Sequence, residues 1–115
     1  MKSLAFGFAL ALTLSCASAA TILAGQAASH IGETATVEGL ATEVKMSRGG
    51  TTFVDIDGAY PSQTFTAAVF ASDTGAVGDL SSMQGKTVDI RGTIRLYRGK
   101  PEIIVKSRSQ ITIAH

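Results

Sequence analysis

From Thr34 to Lys45 the chain alternates small or apolar residues with polar ones, many of them β-branched. A two-residue period of this composition predicts a half-buried strand. Gly39 inside it predicts a bulge or a bend. Arg48-Gly49-Gly50 reads as a turn and Thr51–Asp57 as a second strand. Gly58 to Ser62 breaks the pattern, and Gln63–Ala71 restores it as a third strand. Ser72–Gln84 has no strand period, and its Asp73, Gly75 and Gly78 predict a loop with at most a short helix around Val77–Met83. A fourth strand follows over Thr87–Tyr97, then a tight turn at Arg98-Gly99-Lys100 and a fifth strand over Pro101–Lys106. Ser107–Ile113 ends as a further extended piece. Upstream, Thr21–Ile31 has modest helical character, weakened by Gly25 and ended by Gly32.

On the fourth strand Val88, Ile90, Ile94 and Leu96 fall on one face, with Gly92 between them, and are expected in the core. Asp89, Arg91, Thr93, Arg95 and Tyr97 fall on the other. Gly99 supplies the positive φ of a tight turn, and Pro101 opens a strand where a missing N–H does no harm. Three strands in a meander, an insert with a little helix, then a hairpin define an all-β chain. Their order is that of a five-stranded OB-fold-like barrel with a short helix or loop between strands three and four. An SH3-like barrel shares the strand spacing, but the long insert favours OB. The domain is expected over 33–115, after a lead-in at 20–32, with no repeat or linker to suggest a second.

The first nineteen residues belong to another class. Met1-Lys2 precede an uncharged apolar run from Leu4 to Leu14, and Ala17-Ser18-Ala19 is a small-residue cleavage site. This is the pattern of a secretory signal peptide, too short for a membrane span of roughly 20 apolar residues. The rival is a lipid anchor on Cys16, which wants Leu at position 13, where Thr13 stands. Release is the better fit. The expected product is periplasmic or secreted, with no stable membrane insertion after cleavage. Cys16 is the only cysteine and leaves with the signal, so disulfides, thiol catalysis and zinc–thiolate sites are excluded from the mature chain.

Loss of Lys2 leaves nine basic residues against nine acidic ones. Their distribution is uneven: residues 20–58 sum to −3 and residues 86–115 to +5. A local basic patch on a neutral domain can meet an anionic partner.

Three stretches, Tyr60–Phe65, Gly85–Gly92 and Tyr97–Ile103, with the later pair Gln110-Ile111, resemble small bacterial OB-fold domains. Those domains are related to nucleic-acid-binding modules and occur in exported proteins and beside secreted nucleases. The resemblance covers roughly residues 27–113. It implies the fold, and more weakly an oligonucleotide ligand, because OB barrels also bind saccharides and proteins.

Oligonucleotide-binding OB folds use the face of strands two and three, rimmed by the loops joining strands one to two and four to five. Here both loops are basic, through Arg48 in one and Arg98 and Lys100 in the other. Tyr60 and Tyr97 are candidate stacking platforms, whereas Phe53 and Phe65 are expected mainly in the core. Arg91 and Arg95 share a strand face with Tyr97, and Lys106 on the partner strand can join them. Asp55 and Asp57, two residues apart on strand two, count against phosphate there and are read as a solvated edge. Two carboxylates are too few for a cation site. Catalysis has little material: His30 precedes the barrel, His115 ends the chain, and no nucleophile elbow, HExxH or phosphate loop occurs. No cofactor or metal is expected. The reading is a non-catalytic binding domain for single-stranded DNA or RNA. The alternative is an envelope-interaction or stress-related domain that binds a protein or a small molecule.

Overall fold

The computed structural model describes residues 20–114. The expected signal peptide, with Cys16, and His115 lie outside the described residues. Among the described residues eight strands form: β1 (Thr21–Leu23), β2 (Thr34–Met46), β3 (Thr52–Ile56), β4 (Phe65–Val69), β5 (Thr87–Thr93), β6 (Arg95–Tyr97), β7 (Lys100–Ile104) and β8 (Ile111–Ile113). The only α-helix among the described residues is the single turn α1 (Thr74–Val77), flanked by 3-10 turns in the insert. The architecture is the expected all-β, OB-fold-like one, with β2, β3, β4, β5–β6 and β7 as its five principal strands.

Hydrogen-bonded neighbours run β6-β7-β4-β3-β2-β5-β8, with β1 added in parallel to β2. The path is open, and its β6 end rejoins β5 covalently through Ile94. That residue interrupts what the sequence pattern reads as one continuous strand. Its N–H donates to the Glu33 carbonyl at 2.9 Å, and its carbonyl accepts from Gly32 at 2.7 Å. The turn before β2 therefore takes the hydrogen bonds that a ladder would have used. Beyond this break Leu96 does not reach the core, as alternation predicted, but is 56% exposed on the hairpin. The lead-in also differs from expectation: β1 forms first, and only Ala24–His30 coils, as a 3-10 helix.

The core follows the strand alternation. Val37, Val54, Ile56, Phe65, Val88, Ile90, Ile94, Ile103 and Ile111 are buried together, joined by Val77, Leu80 and Met83 from the insert. β2 curls because it pairs with β5 over Thr34–Leu40 and with β3 over Ala41–Met46. An extra residue, Thr42, bulges out between the Ala41 and Glu43 pairs. Gly39 stands at the bend, where a Cβ would collide with Ile56 Cγ2. Asp57 completes the corner from a left-handed conformation (φ 52°). Its N–H donates to the Leu40 carbonyl at 2.9 Å, and its Oδ1 accepts from Leu40 N–H at 3.0 Å. It is thus a corner residue and not the partner of Asp55 on a solvated edge.

Gln110 closes the other end. Its Oε1 accepts from the N–H groups of Lys106 (2.7 Å) and Ser107 (3.1 Å). Its Nε2 donates to the carbonyls of Arg91 (2.9 Å) and Ile104 (3.2 Å). One amide therefore ties β5, β7 and the approach to β8. Arg108 is likewise structural, donating to the carbonyls of Val77 and Asp79. Each net hydrogen bond contributes about 0.5–1.5 kcal/mol, so Gln110→Ala should cost about 2–4 kcal/mol. Thermal melting should show a fall of the order of 10–20 °C for a domain of this size. A fall of a degree or two would mean that the knot is not what holds these strands.

Candidate functional site

A cavity of about 560 Å³ opens on the outer face of β3, β4 and β7. This face is built by a cross-strand row that runs from Glu43 to Asp55, Thr66, Glu102 and Arg95. A neighbouring row sets Lys45 beside Phe53. The step from β4 to β7 is a parallel pairing, Thr66 opposite Glu102. It joins the segment around Tyr60–Phe65 to the Tyr97–Ile103 hairpin, so two stretches that carried the resemblance become the walls of one cavity.

Phe53, Tyr60, Pro61, Tyr97, Pro101 and Met46 supply the apolar walls. Tyr60 is 64% exposed and Tyr97 43%, and Arg95 stands 5.8 Å from the Tyr97 ring centroid. The hairpin holding Tyr97 is a two-residue turn, with Arg98 at φ 50° and Gly99 at φ 80°. Such turns favour Asn, Asp or Gly at the first position, so arginine is held there at a conformational cost of about 1–2 kcal/mol. Its guanidinium lies 5.3 Å from the Tyr97 ring centroid.

The floor is polar and buried. Asp55 is 1% exposed, Glu102 5%, and Gln63 and Thr66 7% each. The solvated role expected for Asp55 does not hold, because neighbouring strands cover it. Lys45 Nζ stands 3.4 Å from Asp55 Oδ2 and 4.6 Å from the Tyr60 ring centroid. Arg95 Nε stands 3.5 Å from Glu102 Oε1. Gln63 Nε2 donates to Thr66 Oγ1 at 3.2 Å, and Lys100 Nζ donates to the Gln63 carbonyl at 2.8 Å. Asp55 Oδ2 and Gln63 Oε1 have no hydrogen-bond donor.

Of the residues singled out in the sequence, Tyr60, Tyr97, Arg98 and Lys100 line the cavity. Arg95 acts at its border through Glu102. Arg48 is exposed in the β2–β3 turn, beside the lining residue Ser47. Arg91, opposite Thr36 on β5, and Lys106, beyond β7, do not line it. The break at Ile94 separates Arg91 from the hairpin that carries Arg95 and Tyr97. Sequence reasoning missed Lys45, Gln63, Thr66 and Glu102. Alternation in Lys100-Pro101-Glu102-Ile103 places Glu102 outward, but nothing local shows that β7 lies beside β4. Among the described residues no group of three or more His, Cys, Asp or Glu could hold a metal. No described helix is long and apolar enough to cross a membrane.

A protein assigned as an aspartyl-tRNA synthetase from Leishmania major Friedlin superposes over 81% of this chain, with a TM-score of 0.54 at 13% identity. The asparaginyl-tRNA synthetase of Entamoeba histolytica superposes over 85%, with a TM-score of 0.51 at 16% identity. The chain matches 20% and 24% of those two proteins' lengths, so the likeness is to one OB-fold-like portion of each. No family model and no curated protein matches the sequence.

Burial raises the pKa of Glu102 above the ordinary glutamate value of 4.5, and Arg95 offsets part of the rise. The folded state then holds this proton more tightly than the unfolded chain. Its stabilising contribution is present below the ordinary value and is lost as pH rises through the raised one. Glu38 acts in the same direction through its hydrogen bond to and repulsion from Asp89, so the informative comparison is between variants. Between pH 4.5 and neutrality, Glu102→Gln should lose less melting temperature than the wild type. Parallel losses would mean that ionised Glu102 costs the fold nothing.

Proposed function

We propose that this chain is an exported, non-catalytic OB-fold domain that binds single-stranded nucleic acid in the β3–β4–β7 groove. The observation that carries the reading is the convergence of exposed Tyr60 and Tyr97 with the cations Lys45, Arg98 and Lys100 around one cavity. Aromatic faces stack bases of any sequence, and a cationic rim follows the phosphates. The groove lies where OB folds receive oligonucleotides. That these two structural neighbours are described as tRNA synthetases supports the same ligand class. Export rests on residues 1–19. A cut after Ala19 would spare every strand of the described residues, since β1 begins at Thr21. The alternative, an envelope protein or small-molecule ligand, draws on the acidic floor and on a cavity volume within the small-molecule range.

Anisotropy of a labelled single-stranded oligonucleotide, titrated at low and near-physiological salt, should show saturable binding that salt weakens. Tyr97→Ala should lower affinity by about 1–3 kcal/mol, the worth of one stacked base. Arg98→Glu should flatten the logarithmic salt dependence by about 0.7 for each phosphate it no longer neutralises. Lys106→Glu, outside the groove, should change neither. Absence of binding at low salt would overturn the reading and direct the search to protein partners. For export, intact mass of the protein recovered from the periplasm or medium should correspond to a chain starting at Ala20. A retained residue 1 would refute cleavage.

A further inference from the structure

The groove floor joins two features that charge alone does not reconcile. Asp55 and Glu102 each have a cation nearby, Lys45 at 3.4 Å and Arg95 at 3.5 Å, so their charge is compensated. Yet Asp55 Oδ2 is buried without a hydrogen-bond donor, and so is Gln63 Oε1. Both residues are more than nine-tenths buried, and both line the cavity. An unmet buried acceptor is destabilising, and a ligand that donates to it relieves that penalty. A cationic ligand finds no spare negative charge, because Lys45, Arg98 and Lys100 on the lining outnumber the two carboxylates. What the floor lacks is neutral N–H donors.

We infer that this floor is a base-reading subsite selective for guanine, an inference that rests on the proposed nucleic-acid function. Among the bases, guanine alone presents two adjacent donors, N1–H and the N2 amine, on its Watson–Crick edge. Adenine and cytosine put a ring acceptor beside their amine, and thymine or uracil flanks its single N–H with two carbonyls. Either pattern sets lone pair against lone pair at Asp55. Stacking against the tyrosine walls holds the base, and the rim cations receive the phosphates on either side. Single-stranded recognition of this kind reads splayed bases on that edge. The discrimination is a matter of satisfied acceptors, so it should survive added salt better than overall affinity does.

The test uses labelled oligothymidine of about eight nucleotides, within the footprint of one OB fold. Its central base is varied between thymine, adenine, cytosine, guanine, inosine and 7-deazaguanine. Guanine should tighten binding about tenfold over thymine, the scale of one good bidentate contact. Inosine, which lacks the N2 amine, should lose most of that gain, and 7-deazaguanine, altered only on the opposite edge, should keep it. Asp55→Asn should abolish the preference, bringing the ratio of guanine to thymine affinity measured on that variant to about one. If that variant fails to fold, the inosine comparison on wild-type protein decides alone. Equal binding of all central bases would overturn the guanine subsite and leave the groove reading standing. Loss with 7-deazaguanine but not with inosine would also overturn it, since the wrong edge would be read. Failure to bind any oligonucleotide, with capture of an arginine-rich peptide instead, would overturn both readings.

Discussion

One thirteen-residue strand has to belong to two sheets, and the rest of the molecule is arranged around that demand. β2 pairs with β5 through its first half and with β3 through its second, so it must turn sharply near Gly39–Thr42. Three local devices permit the turn. Gly39 leaves room for Ile56, Thr42 bulges out of the ladder, and Asp57 satisfies Leu40 on both its N–H and its carbonyl. Because the strand turns there, its last residues, Lys45 and Met46, reach the outer face of β3 and form one side of the groove. A straight β2 would deliver a flat sheet, with no wall opposite the hairpin.

The groove is also a consequence of the parallel β4–β7 contact. That pairing buries Thr66 and Glu102 against one another and lifts the β6–β7 hairpin beside the Tyr60–Pro61 segment. Electrostatically the result is a floor of compensated carboxylates under a rim of excess cations. On the proposed reading, such a surface attracts anionic chains through its rim while offering acceptors, not charge, at its base. The balance differs from that of a plain basic patch, whose selectivity would be set by phosphate alone.

Much of this fold was legible because alternation reports directly on which side of a strand is buried. Val54, Ile56, Val88, Ile90 and Ile103 are inside as their period requires. The hairpin turn was legible from Gly99, and the insert from the absence of a strand period. Legibility failed where the backbone found partners remote in sequence. Ile94 ends β5 because Gly32 and Glu33 take its hydrogen bonds, which leaves Leu96 outside. The lead-in, read from its alanines as weakly helical, first adds β1 to the edge of β2.

The site divides in the same way. Tyr60, Tyr97, Arg98 and Lys100 could be named from sequence, since the strand order places their loops at the binding rim of an OB-like barrel. Asp55, read as a solvated edge, proved to be buried floor, and Gln63, Thr66 and Glu102 were passed over. Residue type and local period determine which elements form and which side chains point outward. Whether an outward side chain is bathed in water or covered by a neighbour depends on which strand is laid beside it. For Asp55 and Glu102 that neighbour comes from distant pairings, the antiparallel β3–β4 and the parallel β4–β7, which only the folded chain could decide.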